Sequence, residues 1–462
     1  MLHIMTVKFT PNPESKLTRL VQRWIGLAAI FLVLPACSSY GVVKNSPITT
    51  ATKDSSPYSL QTWASADRDS DIIFIIAFSG GGSRASAMAY GVLEELRDTQ
   101  VVIGGKRQRL LDEVDYISSV SGGSFTAAYY GLYGDKIFTN FEDEFLRKDV
   151  EGHLAKSVIN PFHWFGSKGR TQRAIDYYQR KLFHGATFAD MQKPDRPMII
   201  INSSDLARGV RFSFTQEYFN FIGSDLSSFP VADAVAASSA VPVVFNPVVV
   251  QNYPSAPTPP FTWPTNAETL AKRDPNFRML YEGLTSYQDK TSRKYVHLVD
   301  GGITDNTGMR AMSDLIRLLG GPQNLVNQTG RKRPRHLVFL SVNASTKSVS
   351  TMDESTRQPS ILTAMNAAAA VQLHRYNMAT LELARSEVRA GAKALSRSGQ
   401  TVTPHFIELE FEDVPKPEIK LLLNKIPTSL NLTDQQVDTL ISSARTLLKK
   451  NPEYRNLLKQ IR

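Results

Sequence analysis

Three apolar runs, each ending in a turn of small residues, constrain this chain more than any other feature. Residues 71–78 lead into Gly80-Gly81-Gly82-Ser83-Arg84. Residues 114–117 lead into Ser119-Val120-Ser121-Gly122-Gly123. Residues 295–299 lead into Asp300-Gly301-Gly302. Each run reads as a buried strand. After the first turn Ala85, Met88, Ala89, Val92, Leu93 and Leu96 recur at helical spacing, and after the second so do Phe125, Ala128, Tyr129 and Leu132. Alternating strands and helices predict a mostly parallel sheet covered by helices.

The same turns carry chemistry. Ser121 falls where a strand turns sharply into a helix, a place that exposes a nucleophile and demands small neighbours. Gly123 meets that demand on one side and Ser119 on the other. Ser-Gly clusters also make ordinary turns, and Ser118, Ser119 and Ser124 are competing hydroxyls; spacing from Gly123 favours Ser121. Gly80, Gly81 and Gly82 open a helix, where backbone N–H groups favour a developing negative charge. The patterns G-x-G-x-x-G and G-x-x-x-x-G-K-[ST] both fail here, which argues against a nucleotide loop. Arg84 could anchor a phosphate or a loop carbonyl. Asp300, at a strand end, could act as a base or as an acidic turn residue. His297 lies three residues before Asp300 and should face the other way. His336, His374 and His405 have no supporting context, so a Ser–Asp dyad is simpler than a triad. Together these features suggest acyl transfer by a serine hydrolase.

Bulk properties narrow the rest. The chain has 462 residues, 42% hydrophobic and 21% charged, with a net charge of +10. That balance suits an anionic membrane or nucleic acid. With no zinc spacing and no RNA-binding signature, nucleic acid is not expected as a partner. The single cysteine, Cys37, excludes a disulfide within the chain and a thiolate metal cluster.

Residues 1–36 read as a secretory signal. Lys8, Lys16, Arg19 and Arg23 precede an uncharged stretch from Trp24 to Leu34. Its helix would rise about 17 Å, short of the roughly 30 Å of hydrocarbon in a bilayer. Leu34-Pro35-Ala36-Cys37 resembles the bacterial lipobox, which implies that Cys37 becomes a lipidated first residue. An ordinary signal peptide with a chance cysteine is the alternative. With Ser38 next, the resemblance implies sorting in a Gram-negative envelope to the outer membrane, facing the periplasm. Residues 37–70 are rich in Ser, Thr, Asn and Pro and are expected to form a flexible tether.

Residues 71–345 are expected to form the catalytic domain. Further strands are expected at 198–202, 241–245 and 337–342. Two insertions interrupt the rhythm. Residues 135–190 contain His163, Trp164, Phe165, Lys168, Arg170, Arg173, Tyr177 and Tyr178, which could meet a lipid surface or simply face water. Residues 251–292 contain Pro254, Pro257, Pro259, Pro260, Pro264 and Pro275, which oppose regular structure. Residues 346–462 are expected to be mainly helical and packed on the domain, with a capping box at Thr433-Asp434-Gln435-Gln436.

The set Gly-Gly-Gly-x-Arg, x-Ser-Gly-Gly and Asp-Gly-Gly, in this order, resembles the patatin-like phospholipases. Ala237-Ser238-Ser239-Ala240-Val241-Pro242 with Phe245 and Pro247 adds to the match, as does Asp300 through Asn306. The resemblance covers roughly residues 71–345; Ser119 departs from the usual first elbow glycine. The long helical C-terminal part is also similar to the cytosolic phospholipase A2 side of the superfamily. The resemblance implies a three-layer α/β/α fold and a lipid acyl hydrolase acting on membrane phospholipid. Ser121 would be the nucleophile and Asp300 its base, with Gly80, Gly81 and Gly82 as the oxyanion hole and Arg84 and Gly123 in support. No metal or organic cofactor is required. The rival readings are an esterase or acyltransferase acting on other esters, and a catalytically silent, lipid-anchored interaction protein.

Overall fold

The computed structural model describes residues 42–49, 57–64, 71–159, 169–242, 244–254, 263–329, 332–346, 356 and 358–461. The expected signal peptide and Cys37 lie outside the described residues, as do His163, Trp164, Phe165 and Lys168. Residues 41–462 cluster as one unit.

In chain order the strands are β1 (Ser46–Pro47), β2 (Ile72–Phe78), the hairpin β3 (Gln100–Ile103) and β4 (Lys106–Arg109), β5 (Val114–Val120), β6 (Met198–Asp205), β7 (Val210–Ser213), β8 (Ser224–Asp225), β9 (Val248–Gln251), β10 (Tyr295–Asp300), β11 (His336–Asn343) and β12 (Thr403–Glu410). The central sheet runs β12-β11-β2-β5-β6-β10-β9, with β7 also paired to β6. It is parallel from β12 to β6. Strands β10, β9 and β7 join antiparallel.

The central strands are apolar on both faces because both faces are covered. On one face lie the Gly82–Asp98 and Gly122–Tyr133 helices, which pack together, with the Asp434–Lys450 helix against the first. On the other, Ile73, Ile75, Leu337 and Phe339 line a cavity together with residues of the Arg310–Leu318, Pro322–Thr329 and Ile361–Leu395 helices. The result is a three-layer α/β/α architecture with a mostly parallel sheet.

Three expectations need correction. The described residues of 241–245 form no strand, and the strand begins only at Val248. Pro242 lacks an N–H for a ladder, and the Ala240 carbonyl just before it is committed to Asp300 N–H. The proline-rich 251–292 stretch holds two helices, Ala267–Arg273 and Pro275–Thr285. Pro275 sits at the first helical position, where no N–H is needed, and Asp274 caps the N–H groups of Asn276 and Phe277. The C-terminal part is mainly helical as expected and also contributes β12 to the central sheet.

The third correction concerns the tether. Residues 42–49 and 57–64, the described part of 37–70, are built into the domain. Val43 N–H donates to Val249 O, and β1 pairs with β8. Asn45 is buried and exchanges both amide bonds with Gln251, at 2.9 Å each, while also donating to Ser224 Oγ. Tyr58 is 1% exposed, its hydroxyl bridging both backbone groups of Ile199. A few buried side chains in a polar stretch, Val43, Asn45, Tyr58, Leu60 and Trp63 among them, seat these residues.

Candidate active site

Ser121 joins β5 to the Gly122–Tyr133 helix with φ 48° and ψ −119°. Among the described non-glycine residues, only Ser121 and His184 have positive φ. Such a conformation costs about 1–3 kcal/mol and persists only where the surroundings enforce it. The glycines that follow make the turn possible. A Cβ on Gly122 would stand 2.0 Å from Gly82 O, and one on Gly123 would stand 2.7 Å from Phe78 Cβ. On the preceding side no glycine is needed. Ser119 is fully buried and its hydroxyl reaches Ile200 O at 3.3 Å.

The Ser121 hydroxyl donates to Asp300 Oδ2 at 2.8 Å. The competing hydroxyls point elsewhere: Ser118 donates to Gly308 O, and Ser124 lies 3.0 Å from Ser238 Oγ. Asp300 is the last residue of β10 and is 8% exposed. Its Oδ1 accepts from Gly302 N–H at 2.7 Å. Its N–H donates to Ala240 O, and its carbonyl accepts from Ser204 Oγ. Burial pushes its carboxyl up to about 6, against the downward pull of the Gly302 and Ser121 donors. A group so poised is half-ionised just below neutrality, a useful range for a base.

The hydrogen bonds of Ser121 and Asp300 include no histidine among the described residues. His336 and His405 instead pair with each other at 3.1 Å, and His405 reaches Glu453 at 2.7 Å.

The glycine loop lies beside the serine. A Cβ on Gly80 would be 3.4 Å from Ser121 Cβ and 2.6 Å from Asn306 Oδ1. Gly81 and Gly82 have φ 138° and 61°. One expected donor is already spent, since Gly80 N–H donates to Asn306 O at 2.8 Å. The N–H groups of Gly81 and Gly82 carry no hydrogen bond among the described residues. Arg84, 3% exposed, anchors loop carbonyls rather than a phosphate. Its guanidinium donates to Ala344 O at 2.9 Å, to Ile426 O at 2.5 Å and to Thr428 Oγ1 at 3.1 Å. Burial lowers its pKa to about 10. Ser83 N–H donates to Ser429 O at 2.8 Å.

Asn306, Ser238 and Ser429 were given no role by the sequence. Asn306 and Ser238 stand inside stretches that drew notice as motifs, but Asn306 holds Gly80 through its backbone carbonyl and the Ser238 hydroxyl meets backbone groups distant in sequence, neither of which residue identity discloses. Nothing in the composition around Ser429 marks it.

A family model described as "Patatin-like phospholipase" matches residues 76–312, more than half of the chain. No curated protein sequence matches. Solved structures of human GIVD cytosolic phospholipase A2 are similar. One has 14% identity and a TM-score of 0.41, covering 87% of this chain and 64% of that one. The same protein in complex with methyl gamma-linolenyl fluorophosphonate gives 13% identity and a TM-score of 0.36, covering 87% and 64%. With terbium chloride added, the values are 15% and 0.38, covering 87% and 61%. The chain thus spans less than two thirds of the length of these structures.

Proposed function

Because the chain belongs to the patatin-like phospholipase family, we propose that it is a lipid acyl hydrolase that cleaves fatty-acyl esters of membrane phospholipid with Ser121 and Asp300. The observation that carries this reading is the 2.8 Å hydrogen bond from the Ser121 hydroxyl to Asp300 Oδ2 at the end of a strained strand-to-helix turn. Ser121 Oγ attacks the ester carbonyl as its proton passes to Asp300. Collapse of the tetrahedral intermediate expels the alcohol, which takes that proton back. Water then attacks the acyl-enzyme, with Asp300 as base again, and releases the fatty acid.

The oxyanion needs donors that are free and close. The unpaired N–H groups of Gly81 and Gly82 support that role; the committed N–H of Gly80 does not. A well-placed donor of this kind lowers the barrier by roughly 3–4 kcal/mol. Gly80 serves instead to let Asn306 and Ser121 approach.

The lipobox-like Leu34-Pro35-Ala36-Cys37, after its basic and short apolar stretches, supports the proposal that the protein is held to the bacterial envelope by lipid on Cys37. Mass spectrometry of the N-terminal peptide from the native host tests that part; a peptide running intact through Ala36-Cys37 would refute it. The hydrolase reading is tested by treating the full-length protein with a fluorophosphonate probe and with vesicles containing phosphatidylglycerol. Labelling at Ser121 with release of free fatty acid is expected. Release of acid only from short soluble esters would point to an esterase, and no reaction with either would refute the reading.

A further inference from the structure

We infer that Ser238 is a positioning residue of this site: its hydroxyl fixes the backbone of Ser121 and its carbonyl fixes the turn that follows Asp300, so one buried residue sets the separation of nucleophile and base. The inference deepens the hydrolase reading and rests on it.

Ser238 ends the Val231–Ser238 helix and is 0% exposed. A serine hydroxyl offers one hydrogen and two lone pairs. Here all three are used. The hydrogen goes to Asn202 O at 2.6 Å. That leaves only the accepting role toward Ser121 N–H at 2.9 Å and toward the Ser124 hydroxyl at 3.0 Å. The Ser238 carbonyl accepts from Gly301 N–H at 3.0 Å, and two residues on the Ala240 carbonyl accepts from Asp300 N–H at 3.0 Å. One short segment therefore holds both halves of the site. It is itself pinned to Asn202 on β6, the strand between β5 and β10.

This matters because Ser121 sits in a conformation that its own chain does not favour. Its N–H is held by Ser238 Oγ and by no backbone carbonyl. Without that acceptor the N–H is buried and unpaired, and the turn gains by relaxing. A relaxed turn swings Oγ away from both the carboxylate and the glycine loop. A displacement of about 1 Å at a reacting atom costs about 100-fold in rate.

The neighbouring Ser239 supplies the control, because its hydroxyl bonds back to Val235 O and touches neither partner. The experiment compares Ser238→Ala, Ser238→Cys and Ser239→Ala in the full chain by vesicle hydrolysis, rate of Ser121 labelling and thermal melting. Ser238→Ala should lower kcat by roughly 30- to 100-fold, with KM unchanged and labelling slowed in proportion. Ser238→Cys, of similar shape but a weaker acceptor, should fall between. Ser239→Ala should change neither rate. A folded Ser238→Ala enzyme with near-normal kcat, or one whose loss is confined to KM, would overturn the assignment. If Ser238→Ala does not fold, the Cys variant decides, and wild-type turnover there would overturn it equally. A wild-type Ser121 that no probe labels would instead refute the hydrolase reading, and the positioning role with it.

Discussion

The Ser121 hydroxyl meets the Asp300 carboxylate at 2.8 Å although the two residues end strands that are not neighbours. Strand β6 lies between them and runs antiparallel to β10. The carboxylate reaches its partner because the chain turns at Gly301, where a Cβ would stand 2.3 Å from Asn202 O. The pair is thus a product of sheet order and of one permitted close approach. No imidazole is needed to span the gap.

Removing either group should stop the reaction without unfolding the chain. Ser121→Ala and Asp300→Asn should each lower vesicle hydrolysis by roughly three orders of magnitude or more, with unchanged far-UV circular dichroism. His297→Ala should keep most activity. A dead but folded histidine variant would replace the dyad with a triad.

Activity should have an acid limb. Asp300 must be ionised to take a proton, and its carboxyl is held up to about 6. The rate should therefore fall about tenfold per pH unit below that value and level off above it. The sign for stability is opposite. The folded carboxyl binds its proton more tightly than the unfolded one, so Asp300 costs stability as pH rises through about 6, and the cost is complete at neutrality. Asp300→Asn should then melt higher than wild type at pH 7.5, by an amount on the order of 3 kcal/mol at most. Equal melting temperatures at pH 7.5 would show that burial does not strain this carboxylate.

Gly122→Ala should be far worse than its chemistry suggests. The new Cβ would lie 2.0 Å from Gly82 O, so the elbow and the glycine loop must part. Turnover should drop by roughly 100-fold or more. Gly104→Ala, whose Cβ meets open space, should leave turnover unchanged despite its positive φ. Similar activity in the two variants would mean that the loops tolerate separation.

Asn45→Ala tests whether the N-terminal stretch belongs to the domain. Three hydrogen bonds to Gln251 and Ser224 are lost at a residue 2% exposed. The expected loss is about 1–3 kcal/mol in urea unfolding. A loose tether would give no change at all.

Much of this was legible in the residues. The strand runs ending at Ser121 and Asp300 were visible because buried parallel strands are apolar along their length. Position after such a run singled out Ser121 and Asp300 from other serines and acids, and the structure sets those two side by side. What stayed hidden depends on partners far away in sequence. Gly80 and Gly81 look alike in a string, yet only Gly80 donates to Asn306. Proline content argued against helices near 275, whereas Pro275 begins one, because the cost of proline depends on its place in the turn. Residues 42–64 look like a spacer, since a few anchoring side chains leave composition almost unchanged.

The clamp on the glycine loop has a consequence in time. Residues 80–84 leave the ribosome well before Ile426, Thr428 and Ser429, which brace Arg84 and Ser83 from 342 or more residues further along the chain. Chains are made from the N-terminus, and contacts this distant close only when both ends exist. A half-made or clipped chain therefore carries Ser121 without a braced loop beside it. Labelling of Ser121 should therefore depend on residues made long after it. A chain stopped after Lys425 should resist fluorophosphonate labelling at Ser121, and labelling at the rate of the unshortened chain would show that the loop needs no such brace.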